Sequence, residues 1–239
     1  DFAWSTTFNI SHHHTEIEDV GIYDKNGKAI DDVASRWFIG RPISVNYDYK
    51  KIGVWQIEDT SNPNGPQDSR NPNSIPGYIK YQDVNGDGVI NTEDRQIIGS
   101  TEPTVNMSML NNFSYKNFYL SFFLTSQLGQ TAYNALFTCS TMSYRQNRLM
   151  VNFWTPENPT NDYPKNSLDT SVNPMDAGFY EKTDYLRLAD ITFGYRVPRI
   201  LLKNFFLHGI EAYINIKNVF TITNWTGLDP EFIADQYAT

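Results

Sequence analysis

Val105-Asn106-Met107-Ser108-Met109-Leu110-Asn111-Asn112-Phe113-Ser114-Tyr115 and Phe118-Tyr119-Leu120-Ser121-Phe122-Phe123-Leu124-Thr125-Ser126-Gln127 stand either side of Lys116-Asn117, and their reading decides the fold class. Val105, Met107, Met109, Phe113 and Tyr115, then Phe118, Leu120, Phe122 and Leu124, fall at even spacings within each arm. That is the period of a strand with one apolar face. Asn106, Ser108, Asn112, Ser114, Ser121, Thr125 and Gln127 take the other face, which is therefore wet. Phe113, Tyr115, Phe118 and Tyr119 crowd the turn, as an aromatic girdle does at a bilayer interface.

Alternation continues on both sides of this hairpin. Phe2 to Ile10 sets Phe2, Trp4, Phe8 and Ile10 against Ala3, Ser5, Thr7 and Asn9. Arg41 to Gln56 is aromatic and β-branched, with Gly53 and a phase shift that point to a bulge. Tyr185 to Val197 alternates at Ile191, Phe193, Tyr195 and Val197 and slips phase near Asp190; Ile210 to Ile222 sets Ile210, Ala212, Ile214 and Ile216 against Glu211, Tyr213, Asn215 and Lys217. Connections after Gln56 and Gln127 are long, while Lys116-Asn117 and Pro198 to Gly209 are short, as at the two rims of an outer-membrane barrel. Ser11 to Gly40 breaks this rule. Within it, Asn26-Gly27 favours a type I′ hairpin turn.

The chain has 239 residues, enough for one large all-β domain, and its aromatic content of 15% suits strands. Basic residues number 19 and acidic residues 27, a net charge of -8 that argues against nucleic acid as a partner. Cys139 stands alone, so a disulfide framework and a thiolate metal site are excluded. No apolar run reaches the length of a transmembrane helix. Barrel strands average to ordinary hydropathy, and the mean here is -0.49. The chain opens at Asp1 directly into a strand pattern and reads as a piece of something longer.

Asp83-Val84-Asn85-Gly86-Asp87-Gly88-Val89-Ile90-Asn91-Thr92-Glu93-Asp94 has the spacing of a calcium loop. Side-chain oxygens of Asp83, Asn85, Asp87, Asn91 and Asp94 fall at positions 1, 3, 5, 9 and 12, the Val89 carbonyl at 7, and Gly88 at the sharp turn. Asp at position 12 shortens the reach for bidentate ligation. A metal-free cluster of Asx and glycine turns is the other reading. Gly77 to Tyr81 reads as extended and Thr92 to Ile98 as a short helix capped by Asn91 and stopped at Gly99. One helix makes a structural clip, since an opening sensor needs two.

Weaker features remain. Consecutive histidines His12-His13-His14 point to opposite faces of a strand and read as a solvated strand end. Trp55, Tyr133, Phe137, Tyr144, Phe153, Trp154 and Tyr163 in the long connections would stack on sugar rings, contact a lid protein, or pack within the loops. A nucleophile elbow, an HExxH pair and a phosphate loop are all missing from the sequence, so the expectation is that the chain is not an enzyme.

Several stretches together resemble one family. Trp154-Thr155-Pro156-Glu157-Asn158-Pro159-Thr160-Asn161, Tyr185-Leu186-Arg187-Leu188 with Ile191-Thr192-Phe193-Gly194-Tyr195-Arg196-Val197-Pro198, Asn218-Val219-Phe220-Thr221-Ile222-Thr223 with Gly227-Leu228-Asp229-Pro230-Glu231, and the acidic loop with Arg95-Gln96-Ile97-Ile98-Gly99 are similar, in order, to the barrel of SusC/RagA-type TonB-dependent transporters. The resemblance implies an all-β fold of antiparallel strands forming part of a large transmembrane barrel with long extracellular loops, residues 1–239 being its C-terminal portion. It implies residence in the bacterial outer membrane against the lipid bilayer. It also implies import of a glycan or peptide, an oligosaccharide or peptide substrate, with a SusD-like surface lipoprotein as lid and TonB acting through an N-terminal part outside this chain. The family's plug, first strands and last strand are not in this sequence. Open edges would therefore have to pair with further barrel strands. The alternative is a secreted, soluble β-sandwich that binds carbohydrate and carries a dockerin-like calcium loop. Dockerins repeat that loop, whereas one copy occurs here.

Overall fold

A computed structural model describes residues 2–60, 67–68, 76–134, 150–165, 179–203 and 207–231. Thirteen strands follow one another along them. They are β1 (Phe2–His12), β2 (Val45–Tyr49), β3 (Lys51–Val54), β4 (Gln67–Asp68), β5 (Ile79–Tyr81), β6 (Val89–Ile90), β7 (Arg95–Ser100), β8 (Val105–Tyr115), β9 (Phe118–Leu128), β10 (Thr131–Tyr133), β11 (Tyr180–Lys182), β12 (Tyr185–Arg196) and β13 (Glu211–Thr223). The chain divides into two compact units.

The first unit is a five-stranded antiparallel sheet in the order β1-β8-β9-β12-β13. The predicted hairpin forms its middle, in register from Val105↔Leu128 to Tyr115↔Phe118. Lys116 turns the chain at φ 53. β1 adds along β8 from Phe2↔Tyr115 to His12↔Val105. β12 shifts register between Leu188 and Asp190 against both neighbours, where the sequence slips phase. The shift has a clear cause. Without it Leu186 and Leu188 would leave the face occupied by Ile191, Phe193 and Tyr195, because a slip of one residue exchanges the two faces of a strand. Phe2, Trp4 and Ile214 stay 66%, 62% and 67% exposed, so no layer of described residues covers that face there. A sandwich would have hidden them.

The second unit is assembled from the described residues of 16–101, 131–181 and 226–239. Its two-stranded sheets are β2-β7, β3-β5, β4-β6 and β10-β11. Tyr49, Trp55, Tyr78, Ile79, Tyr81, Ile90 and Phe179 make its buried core. Aromatic and β-branched side chains suit short strands that are hidden on one side.

Three expectations change. Arg41 to Gln56 splits into β2 and β3, and β2 pairs with β7 and β3 with β5 instead of joining the large sheet. Its alternation is real, and the bulge shows as a shift between Lys51 and Gly53. Residues 13–104 are thus a single long connection, which removes the anomaly at Ser11 to Gly40 and makes long and short connections alternate throughout. At Asp24 to Lys28 the turn bond runs from Gly27 N to Asp24 O at 3.1 Å, with Gly27 at φ 76 and Asn26 outside the left-handed region; a type I′ turn would need both residues there. The helix expected over Thr92 to Ile98 is one turn of 3-10 helix, Thr92–Asp94, followed at once by β7. The β-branched pair Ile97-Ile98 favours the strand.

Candidate functional site

The apolar face of the first unit is laid out row by row. Trp4, Phe113, Leu120, Phe193 and Ile214 lie abreast across all five strands. Trp4 stacks on Phe113 with centroids 6.0 Å apart, Phe113 on Phe122 at 5.9 Å and Phe118 on Phe193 at 5.9 Å. Phe2, Tyr115 and Tyr195 complete an aromatic band at the rim with the short turns. Polar side chains interrupt this face at Thr6, Asn111 and Ser126. Buried Asn111 accepts at Oδ1 from Trp4 Nε1 (3.2 Å) and Thr6 Oγ1 (2.5 Å). Partners of this kind are what a polar atom needs where water is scarce.

The opposite face is polar and partly bonded to itself. Asn215 Nδ2 donates to Asp190 Oδ2 (2.8 Å) and to Thr192 Oγ1 (2.7 Å), and Thr192 Oγ1 donates to Asp190 Oδ1 (3.1 Å). Nearer the long connections, buried Arg187 donates from Nε to Thr221 Oγ1 at 2.9 Å. Leu110 and Phe123 also lie on this face, so it is not uniformly polar. Tyr119 stands opposite Gly194, and a Cβ there would overlap its ring. Glycine is required by that approach.

The structure places all six predicted loop residues on one tight turn system. Asp83 accepts from Gly86 N (2.7 Å) and Gly88 N (3.0 Å), and Asp87 accepts from Val89 N (2.7 Å). Gly88 sits at φ 81, as the sharp turn needs. Asp94 is buried and closes the loop, accepting from Val84 N and Asn91 N, both at 2.8 Å, while Asn91 caps the following turn. The carboxylates are brought near each other without being gathered. Among the described residues no group of three or more His, Cys, Asp or Glu side chains is placed to hold an ion. Asn85 Nδ2 points at Asp87 Oδ2 (3.1 Å) and Asn91 Nδ2 at the Val89 carbonyl (3.3 Å), so amide hydrogens stand where a cation would want oxygen. The amide oxygens of Asn85 and Asn91 are instead engaged by Asp87 N (3.0 Å) and Glu93 N (2.8 Å).

Most aromatic candidates of the long connections are structural. Trp55 and Trp154 are buried, and Tyr133, Phe153 and Tyr163 pack against the core; Phe137 and Tyr144 lie outside the described residues. Trp154 Nε1 donates to Gln56 Oε1 (2.7 Å) and Asn161 Oδ1 accepts from Val54 N (3.0 Å). The Trp154 to Asn161 motif is therefore a strap tied to β3 and the residues just after it. Lys51 Nζ reaches the Asp162 carbonyl and lies 4.9 Å from the Phe179 ring centre. Burial holds its pKa below the ordinary lysine value, against the opposing pull of Asp162 and Glu181. Sequence reasoning passed over Gln56, Lys51 and Ile90. Of these only Ile90 carried a signal, an apolar residue beside the predicted ligand Val89 that folds into the core.

With both faces described, comparison with known proteins is direct. No family model matches the chain. TonB-dependent receptor P3 of Formosa agariphila is 29% identical over 244 residues, spanning 97% of this chain and 23% of that protein. SusC of Bacteroides thetaiotaomicron, a TonB-dependent receptor, is 24% identical over 97% of this chain and 22% of its own length. The chain is similar to SusC/RagA-type TonB-dependent receptors over nearly its whole length. In solved structures the segment matches the RagAB peptide importer in its open-open state with a TM-score of 0.68 at 19% identity, over 97% of this chain and 24% of that one. The closed-closed state matches at 0.67 and 21%. These likenesses place the five-stranded sheet among outer-membrane β-barrel folds. The segment spans about a quarter of the length of the curated relatives it matches.

Proposed function

We propose that this segment is the C-terminal part of the barrel wall of a TonB-dependent receptor that imports a glycan or peptide nutrient. Its apolar face meets lipid and its polar face lines the lumen. The observation that carries the reading is the bare apolar face of a sheet whose long connections all leave from one end. Outer-membrane barrels have that asymmetry, with the long loops outside the cell. A SusD-like lipoprotein would cap the loop side, and TonB would act through a part of the protein outside this chain. SusC and the RagAB importer are the relatives that favour such partners and cargo.

In this reading the loop from Asp83 to Asp94 binds calcium as a structural clip, held by Asp83, Asn85, Asp87, the Val89 carbonyl, Asn91 and Asp94. The cation would offset the mutual repulsion of Asp83, Asp87, Glu93 and Asp94 and would take no part in chemistry.

The test is genetic. Replacing the full-length gene with one lacking residues 1–239, or inactivating TonB, should abolish growth on the same glycan or peptide as sole nutrient. Growth of either strain at the wild-type rate on every nutrient the parent imports would contradict the proposal.

A further inference from the structure

The connection from β12 to β13 carries an apolar pattern of its own. Val197 N donates to the Ile210 carbonyl at 2.9 Å, so the two strands stay paired up to the rim with the short turns. Tyr195 and Ala212 lie on the apolar face, and Val197 and Ile210, one strand period further on, carry that face to the end of the sheet. Pro198-Arg199-Ile200-Leu201-Leu202-Lys203 follows, with Arg199–Leu202 forming one helical turn. Leu201 N donates to the Pro198 carbonyl at 3.0 Å. Leu202 is buried, whereas Ile200 and Leu201 are 71% and 61% exposed.

Cations border this exposed pair. Arg199 and Lys203 are four residues apart, hence neighbours on a helical surface, and both are exposed without a salt bridge among the described residues. In a chain of net charge -8, two adjacent cations beside an apolar rim are a local exception. The other short turn of the same rim repeats the pairing, with Lys116 Nζ 5.3 Å from the Tyr115 ring centre. Apolar side chains that enter between acyl chains, next to long basic side chains that reach phosphate, are the make-up of an interfacial membrane anchor.

We propose that the turn from Pro198 to Lys203 lies in the phospholipid headgroup layer at this rim, with Ile200 and Leu201 among acyl chains and Arg199 and Lys203 on lipid phosphates. The inference rests on the barrel reading above, under which short connections mark the periplasmic rim and the lipid is that of the inner leaflet of the outer membrane. Three observations favour lipid over a second copy of the chain or another protein. The patch is continuous with the apolar face through Val197 and Ile210. Its border has the charge that complements phosphate. Two exposed side chains also fall well short of the roughly 800 Å² per partner that a standard protein interface buries.

Leu201→Cys, Phe122→Cys and Asn26→Cys should be made singly in a cysteine-free full-length receptor, labelled with a small fluorophore and placed in nanodiscs of phosphatidylcholine and phosphatidylglycerol. Phe122 reports the apolar face and Asn26 an exposed turn of the connection between β1 and β8. Lipid carrying a nitroxide just below the headgroup should quench the Leu201 label, lipid carrying it deep in the acyl chain the Phe122 label, and aqueous iodide the Asn26 label alone. A shallow nitroxide on phosphatidylglycerol should quench at Leu201 severalfold more than one on phosphatidylcholine, because each basic side chain near a bilayer is worth about a fivefold preference for anionic lipid. Arg199→Gln with Lys203→Gln should remove that difference. A Leu201 label quenched by iodide and untouched by lipid overturns the anchor. A label shielded from both also overturns it and assigns the patch to protein contact, and equal quenching by the two lipids overturns the pairing with phosphate. A Phe122 label beyond the reach of the deep nitroxide overturns the barrel reading itself.

Discussion

At the residue scale, the assignment of faces can be tested at one side chain. Leu124 lies abreast of Met109 and Leu188 on the apolar face, near the middle of β9. Leu124→Arg in the full-length receptor should cost about 2 to 4 kcal/mol at that depth. Folding titrations into lipid vesicles measure it, and a cost near zero would reverse the faces. Single residues were legible in the sequence where chemistry and spacing coincided. Gly88 at the sharp turn, Asn91 as a cap and the phase slip beside Asp190 are of this kind. Gln56 and Lys51 were not, because their partners Trp154 and the Asp162 carbonyl lie far along the chain, and no local pattern announces them.

Among elements, the long strands were readable and the short ones were not. β8, β9 and β13 keep alternation over most of their lengths, with exceptions such as Asn111 and Phe123, and β12 slips phase once, so period was enough to find them. β2 and β3 show the same local chemistry, yet they pair within a connection. Alternation reports a two-sided environment and says nothing of which strand is the neighbour. The acidic loop gives a prediction at this scale. Removing calcium with a chelator, or making Asp87→Ala, should speed protease cutting between Ile79 and Gly99 several-fold while the barrel strands stay resistant, since the carboxylates would repel without a cation. Gel analysis of timed digests reads the outcome. Cutting that is indifferent to both changes would make the loop an ordinary turn cluster, already closed by Asp94 on Val84 N and Asn91 N.

At the scale of the molecule, the account turns on a sheet with two solvents. Its apolar rows cross all five strands, broken at Thr6, Asn111 and Ser126, and its polar rows hold Asp190, Arg187 and Arg196 on the other side. Such a sheet is stable in water only if a second layer covers it, and Phe2, Trp4 and Ile214 are uncovered. Lipid is the cover that the alternation and the aromatic rim imply. Cysteine scanning along β9, from Phe118 to Leu128, with a spin label at each position of the full-length receptor in lipid bilayers, tests this most directly. Labels at Leu120, Phe122 and Leu124 should be relaxed by oxygen dissolved in the bilayer, and labels at Tyr119, Ser121 and Thr125 by a water-soluble nickel complex or by neither agent where a plug excludes it. Equal oxygen access on both sets, or a pattern with the two sets exchanged, would contradict the claim that this sheet is a membrane-spanning wall.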